Sequence, residues 1–362
     1  MKFLVFIAVL LAALATGLMP LNAASGMRLQ VVAFGDSLLD AGTYSPFAKA
    51  TFNGGRFTTN PGLNFTQDIA LHYGDRLTPA FVGGFGQPLI PAGGLDYAQG
   101  GSRVTLQPGI GHAPPGTKDA DFAQATTVPV RDQVGTYLST YKRFTSNQLV
   151  LINGGANDIF FQLAAAQAAG TPAALLSAVE AITRSAVDLA KIVRTVIENG
   201  ATHVVVMNVP DIGRAPEGLL SPDHGQLLTA VSRLFNISLA AALDFQRKIF
   251  GDNVTLIDAF GFIDQVIANF RVYGFSVSNT GIACNLSAQI ARAVQLHLSN
   301  PSSFGSSLFC SPGTYTVTGA DRSFMFADTV HPTTHLNELF ALFVEQQIAA
   351  RIWQVHAREG GF

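Results

Sequence analysis

Residues 29–37 read LQVVAFGDS, an apolar stretch rich in β-branched residues that ends at Gly35 and leads into Asp36 and Ser37. Similar short apolar runs lie at 149–152, 203–209 and 254–257. Apolar runs without regular alternation indicate strands whose two faces are both buried. Such strands are typical of a parallel sheet that is covered by helices on both sides.

Amphipathic stretches separate these strands. From Leu175 onward, apolar residues recur at alternating steps of four and three, which predicts a helix with one apolar face that ends near Gly200. A second helix is predicted over 226–250, and a third is predicted to begin at Pro332 and continue past Trp353. The alternation of strands and helices predicts an α/β fold with a doubly wound sheet.

The composition indicates a folded protein with a large core. Hydrophobic residues make up 48% of the chain, charged residues make up 13%, and the formal net charge is −2. Disordered chains have the opposite combination of low hydrophobicity and high charge. Binding to nucleic acid requires clustered lysine and arginine, and the sequence contains no such run. We therefore expect no nucleic-acid partner.

The first 24 residues have the parts of a secretory signal peptide. Lys2 precedes an apolar run from Phe3 to Leu18, and small residues up to Ala24 follow it. The alternative is a membrane anchor, for which this run is at the short end. We expect cleavage, a single domain over 25–362 with no stable membrane span, and a secreted or periplasmic location.

Two cysteines, Cys284 and Cys310, lie in the same late region of the chain. An even pair in an exported chain favours a disulfide. Two unrelated buried thiols or a metal pair are the alternatives, although neither cysteine lies in a CxxC motif or a Cys/His cluster.

The serine after the first strand is the first candidate for chemistry. A residue at this point lies at the carboxyl edge of the sheet, where open α/β folds place their sites. Ser37 is also expected at the start of a helix, where backbone N–H groups can stabilise negative charge. The alternative is a simple helix cap, a position that suits both Asp36 and Ser37. Taken alone, this stretch favours the cap.

A second candidate lies near the C-terminus, where residues 327–332 read ADTVHP. Asp328 precedes His331 by three residues, so its carboxylate can reach the imidazole within one turn and fix its tautomer. One alternative is a capped helix start with a surface histidine. Another is a metal site, because Asp328, His331 and His335 have ligand-like spacing, although no further ligand cluster accompanies them.

Two glycine-containing stretches add polar groups. Residues 154–158 read GGAND after the second strand, which places the side-chain amide of Asn157 near the sheet edge. An ordinary turn has the same composition. Residues 95–102 read LDYAQGGS, and their glycines allow backbone amides to approach a substrate closely.

These four blocks, taken in order, resemble the GDSL or SGNH hydrolase family, and the likeness covers nearly all of the chain after the first 24 residues. Residues 55–61, GRFTTNP, resemble the branch that contains secreted esterases, phospholipases and acyltransferases. The resemblance implies a three-layer α/β/α fold with a flavodoxin-like, mostly parallel sheet.

The resemblance also implies a role for each matching residue. Ser37 is the expected nucleophile, His331 the general base and then acid, and Asp328 the residue that orients it. The backbone N–H groups of Ser37 and Gly101 and the side chain of Asn157 are the expected oxyanion hole.

The block at 95–102, the second in chain order, departs from the family pattern, because Asp96 stands where the family usually has asparagine. This departure leaves the oxyanion glycine open between Gly100 and Gly101. The spacing from position 96 favours Gly101.

The expected reaction is acyl transfer from an ester substrate to serine, followed by deacylation by water, with no metal or organic cofactor. Acyl transfer to an alcohol and phospholipase activity on the same site are alternatives. A non-catalytic secreted protein that binds lipid or carbohydrate is a third, which the functional residue types of all four blocks disfavour. Phenylalanines at 47, 52, 57, 81 and 85 favour an acyl chain.

Overall fold

A computed structural model describes residues 27–112, 125–250 and 253–359, so the predicted signal peptide lies outside the described residues. The strands of the described part are β1 (Gln30–Phe34), β2 (Phe81–Gly84), β3 (Gln87–Pro91), β4 (Gln148–Ile152), β5 (His203–Met207), β6 (Val254–Ile257), β7 (Val277–Ile282) and β8 (Phe324–Phe326). Its α-helices are α1 (Ser45–Phe52), α2 (Phe65–His72), α3 (Val130–Tyr141), α4 (Ala156–Ala169), α5 (Pro172–Glu198), α6 (Pro216–Leu220), α7 (Gln226–Phe250), α8 (Ala259–Ala268), α9 (Leu286–Gln295), α10 (Ala320–Ser323) and α11 (Thr334–Glu359).

The central sheet has four parallel strands in the order β1-β4-β5-β6. Residues 95–99 run parallel to the outer side of β1, where Ala33 N donates to Leu95 O and Tyr97 N donates to Ala33 O. The carboxyl ends of all these segments therefore meet at one edge of the sheet.

Both faces of the sheet are buried, which explains why the strands lack regular alternation. Val32 and Phe34 face a core that α3, α4, α5 and α7 cover. Val31 and Ala33 face the opposite core, which is closed by α2 and α11. The predicted three-layer α/β/α fold is confirmed.

The predicted helices agree with the structure over most of their length. Helix α7 has the predicted bounds, and α5 begins three residues before Leu175 because the Thr171 side chain caps it by accepting from Ala174 N. The helix expected at Pro332 begins instead at Thr334. Residues 331–333 pair with β8 in extended form, since Ala327 N donates to His331 O and Thr333 N donates to Met325 O.

The helix start expected at Ser37 is also wrong. Residues 35–44 form turns, and α1 begins only at Ser45. Asp40 Oδ1 accepts hydrogen bonds from the N–H groups of Gly42 and Thr43. Gly42 has a φ of 128°, a backbone conformation that a helix does not contain.

Two stretches without a strand–helix alternation in the sequence, 78–129 and 274–322, contain elements of their own in their described parts. The β2–β3 hairpin lies within the first, and β7 and α9 lie within the second. In the second stretch, Cys284 and Cys310 form the predicted disulfide, with a Cα–Cα distance of 5.8 Å.

Among the described residues, the segment 226–248 of α7 is long and apolar enough, by length and composition alone, to cross a membrane. Phe235 and Leu239 of this helix are buried in the core against α5. Core helices of folded domains share this composition, so the segment is weak evidence for a span.

Candidate active site

The candidate residues lie along the carboxyl edge of the central sheet. Ser37 follows β1, Asn157 is the second residue of the helix after β4, and Gly101 follows the segment beside β1. The loop after β8 brings Asp328 and His331 to the same place.

A chain of hydrogen bonds connects three of these side chains. His331 Nε2 lies 2.8 Å from Ser37 Oγ. On the other side of the ring, His331 Nδ1 lies 2.9 Å from Asp328 Oδ1 and 2.8 Å from Asp328 Oδ2. The Phe57 ring packs against the imidazole at a centroid distance of 5.0 Å. The arrangement can move a proton from the serine hydroxyl to the histidine.

Asp328 is held as a buried carboxylate, with only 4% of its surface exposed. Burial alone would raise its pKa, but the charge and hydrogen bonds of His331 outweigh burial and hold the pKa well below its usual range. Its oxygens also accept the N–H groups of Ser307 at 2.7 Å and Val330 at 3.0 Å. Asp328 therefore stays ionised at neutral pH and can stabilise an imidazolium.

Three hydrogen-bond donors near Ser37 can stabilise negative charge on a substrate oxygen. Within the described residues, the backbone N–H groups of Ser37 and Gly101 donate to no other group. The Asn157 side chain is 8% exposed and donates one amide hydrogen to Ser102 O at 2.9 Å, which leaves its second hydrogen available. All three residues line the same cavity.

The two glycines of the second block differ in what their N–H groups do. Gly100 N donates to Asp40 Oδ2 at 2.9 Å and is therefore occupied. Gly101 has a φ of 83°, and a Cβ at this position would overlap the carbonyl oxygen of Ile110. The geometry therefore favours Gly101, and it explains why a glycine is needed there.

Asp96 connects the turns at 35–44, which carry Ser37, to the loop at 95–102, which carries Gly101. Its carboxylate accepts hydrogen bonds from Ala41 N and Ala98 N. Burial, together with the charge of Asp40, raises the pKa of Asp96 well above its ordinary value. The aspartate that replaces the usual asparagine therefore still provides a side chain that bonds both loops.

Sequence reasoning missed a buried ion pair beside Asn157. Arg103 Nε lies 3.2 Å from Asp158 Oδ1, and both side chains are almost wholly buried. Asp158 Oδ2 also accepts Val104 N at 2.9 Å. The pair fastens the segment that follows Gly101 to the start of α4. The position of Asp158 next to Asn157 was the available signal, but nothing local indicated Arg103.

Sequence reasoning also missed the side chains that hold the nucleophile turn. Gln133 bonds both the N–H and the carbonyl of Gly35 at 2.8 Å. Asn153 accepts from Asp36 N at 3.0 Å and donates to Asp36 Oδ1 at 2.8 Å. Gln133 lies about a hundred residues away in the chain, so no local pattern could have indicated it.

The metal alternative requires His335 to converge with Asp328 and His331. Instead, His335 Nε2 lies 2.9 Å from Tyr273 O, and its Nδ1 lies 3.3 Å from Glu338 Oε2. Among the residues described, no group of three or more His, Cys, Asp or Glu side chains is placed to hold a metal ion.

The site opens into a cavity of about 1080 Å³ with mostly apolar walls. Of the phenylalanines at 47, 52, 57, 81 and 85, Phe57 and Phe85 line it. Phe47 and Phe52 pack instead against Phe309 in the neighbouring core.

Comparisons with known proteins agree with this arrangement. The family model described as GDSL-like Lipase/Acylhydrolase matches residues 31–344. GDSL esterase/lipase At4g16230 of Arabidopsis thaliana is 24% identical over 359 residues, which covers 90% of this chain and 89% of that protein. GDSL esterase/lipase At4g18970 of the same organism is 29% identical over 94 residues, or 24% of this chain and 26% of that protein.

Proposed function

The chain belongs to the GDSL-like lipase/acylhydrolase family and is a hydrolase, and we propose that it cleaves carboxylic esters with Ser37 as its nucleophile. One observation carries the proposal: the hydrogen-bonded chain from Ser37 Oγ through His331 to Asp328. A hydroxyl that is hydrogen-bonded to an oriented base is the arrangement that activates a serine.

In the proposed reaction, Ser37 Oγ attacks the ester carbonyl carbon while His331 Nε2 takes its proton. The Asp328 carboxylate stabilises the imidazolium that forms. The carbonyl oxygen becomes an oxyanion, which accepts hydrogen bonds from Ser37 N, Gly101 N and Asn157 Nδ2.

His331 then gives its proton to the leaving alcohol oxygen as the carbon–oxygen bond breaks, which leaves an acyl group on Ser37. Water attacks this acyl-enzyme while His331 takes a proton of the water. His331 then returns that proton to Ser37 Oγ as the bond between Oγ and the acyl carbon breaks, and the carboxylic acid leaves. His331 transfers the protons, and the three donors stabilise the oxyanion of each tetrahedral intermediate, so these steps need no cofactor.

An ester assay tests the proposal. Wild type is compared with Ser37→Ala and with Ser139→Ala, a control at an exposed serine of α3. We expect Ser37→Ala to lower kcat by roughly 10³-fold or more, because removing a triad member removes the activated nucleophile. We expect Ser139→Ala to match wild type. Equal turnover by Ser37→Ala and wild type contradicts the proposal.

We also propose that residues 1–24 are a signal peptide and that 25–362 act as one secreted or periplasmic domain. The Cys284–Cys310 disulfide supports export, because disulfides persist in oxidising compartments. Intact-mass measurement of the exported protein should show loss of the residues through Ala23 or Ala24. Recovery of the full-length mass from the extracellular fraction contradicts cleavage.

A further inference from the structure

Resting on the proposed function, we propose that the substrate is a neutral ester with extended apolar groups on both sides of the scissile bond. Along the sheet edge, apolar residues of the cavity lining lie on both sides of Ser37. One side takes a fatty acyl chain and the other takes an apolar alcohol.

The sheet edge sets the length of this cavity. Its lining residues come from five adjacent segments of the sheet edge. They run from Gly101 beside β1, through Ser37 and Asn157, to Met207 at the end of β5 and Ala259 after β6. Neighbouring strands lie about 4.8 Å apart, so four gaps span about 19 Å. Ser37 lies one gap from the first end and three gaps from the other, so the reacting carbon has cavity on both sides.

We name the shorter side the first arm. It is lined by Phe57, Phe85, Ile110, Leu308 and Phe309. Phe85 and Phe309 belong to one buried cluster and lie in edge contact at a centroid distance of 5.5 Å. This wall is apolar, and Ile110 lies against Gly101.

The longer side is the second arm. It is lined by Met207, Phe262, Ile263, Phe326, Leu336 and Phe340. Phe262 of α8 and Phe340 of α11 are in contact at a centroid distance of 5.0 Å. These residues belong to clusters separate from that of the first arm, so the two arms have independent walls.

The chemistry of the reaction requires the two arms to hold different parts of one ester. The carbonyl oxygen must face the three donors, and the leaving oxygen must reach His331. At the tetrahedral carbon bonded to Ser37, the acyl chain and the alcohol group then point in different directions. Each has an apolar wall to contact.

The charges of the lining residues favour a neutral ester. Among the described lining residues there is no lysine and no arginine, while Glu217 lies exposed in the lining. A phosphate group prefers arginine or lysine partners. The described part of the lining therefore offers a phospholipid head group no lysine or arginine partner, and it places the Glu217 carboxylate in the cavity wall.

The test varies the two halves of the ester independently. The probes are ethyl acetate, ethyl hexanoate, hexyl acetate and hexyl hexanoate, each used below its solubility limit. Burial of one methylene group favours binding about fourfold, so four added methylenes on either side should raise kcat/KM by up to roughly 10²-fold. We expect 1-hexanoyl-lysophosphatidylcholine to be cleaved more slowly than hexyl hexanoate.

Two variants assign the arms. Ile110→Ala truncates the first arm at a side chain that is 41% exposed, and Phe262→Ala truncates the second. Each should weaken the dependence of kcat/KM on one half of the ester and preserve the dependence on the other half. The matched controls are Ile237→Ala and Phe245→Ala on α7, which are 61% and 67% exposed and lie outside the cavity lining. Both controls should reproduce the wild-type pattern.

Three results would overturn the inference. They are a rate that rises with acyl length but not with alcohol length, truncations that both alter the same half, and faster cleavage of the lysophospholipid. In each case, loss of ethyl acetate hydrolysis in Ser37→Ala would leave the proposed ester hydrolysis standing. Equal turnover by Ser37→Ala would instead reject the proposed function.

Discussion

At the residue scale, the site is a set of short hydrogen bonds between groups that are distant in the chain. Ser37 and His331 are 294 residues apart and meet at 2.8 Å. Groups outside this pair hold both partners: Gly35 N donates to the Gln133 side chain, and the backbone N–H of Ser307 donates to Asp328. Reactivity at Ser37 thus depends on positions that a local motif does not contain.

Asn157 allows a direct test of the oxyanion hole. Asn157→Ala should lower kcat by about 10²–10³-fold with little change in KM, because the lost hydrogen bond forms mainly in the transition state. The matched control is Asn147→Ala, at an exposed loop asparagine. Steady-state kinetics on one ester measure both constants. A change confined to KM would instead assign Asn157 to substrate positioning.

The candidate residues could be named from the sequence because the four blocks, taken in order, resemble a known hydrolase family, whereas the stretch with Ser37 taken alone favours a helix cap. Local backbone accounts for one of them. This is Gly101, whose left-handed backbone admits only glycine without strain. Arg103 could not be predicted, because its partner Asp158 is 55 residues away and only the fold brings them together.

At the element scale, the strands and the long helices could be predicted because hydrophobic periodicity reflects burial directly. Two helix starts could not. Asp40 folds its carboxylate back onto Gly42 and Thr43, and pairing with β8 keeps Pro332 extended. In both places a tertiary or side-chain hydrogen bond competes with the helix, and sequence propensity does not report it.

The packing of α2 against α11 buries ionisable groups away from the site. Burial and the charge of Asp68 raise the pKa of Glu345 to about 7, from an ordinary value of 4.5. His72 Nδ1 lies 3.1 Å from Glu345 Oε2, and burial lowers the pKa of His72. Near pH 7 the Glu345 carboxyl is therefore only partly ionised.

A pH dependence of stability follows from the raised pKa of Glu345. The folded protein holds this proton more tightly than the unfolded chain does, so the contribution is complete below pH 4.5 and is lost as the pH rises through about 7. Glu345→Gln cannot ionise, so its stability relative to wild type should increase from pH 5 to pH 9. Thermal unfolding at both pH values, with Glu180→Gln as the exposed control, measures the difference. A difference that is constant or decreases with pH contradicts this explanation.

At the scale of the whole molecule, a parallel sheet with both faces covered gathers loops from the full length of the chain at one edge. The sequence predicts a doubly wound parallel sheet but not the order of its strands. The register and the flanking segment at 95–99 depend on pairing between distant residues. The two apolar arms could not be anticipated either, since residues from β5, α8, α11 and several loops build them.

The Cys284–Cys310 disulfide closes a loop of the chain across a sequence separation of 26 residues. By the loop-closure estimate, Cys284→Ala with Cys310→Ala should lower the free energy of unfolding by about 3.5 kcal/mol. Urea unfolding of wild type and the double variant measures it. The closed loop includes Ser307, so activity should also fall. Equal urea midpoints, or alkylation of both cysteines in unreduced wild type, would contradict a stabilising bond.

The central claim is that His331 and Asp328 activate Ser37, and site-specific labelling with a fluorophosphonate tests it most directly. Only an activated serine reacts with such a reagent at a useful rate. Mass spectrometry of the digested protein should therefore find the adduct on the peptide that contains Ser37, and labelling should be lost in His331→Ala. An adduct on a different serine, or equal labelling rates in wild type and His331→Ala, would contradict the account.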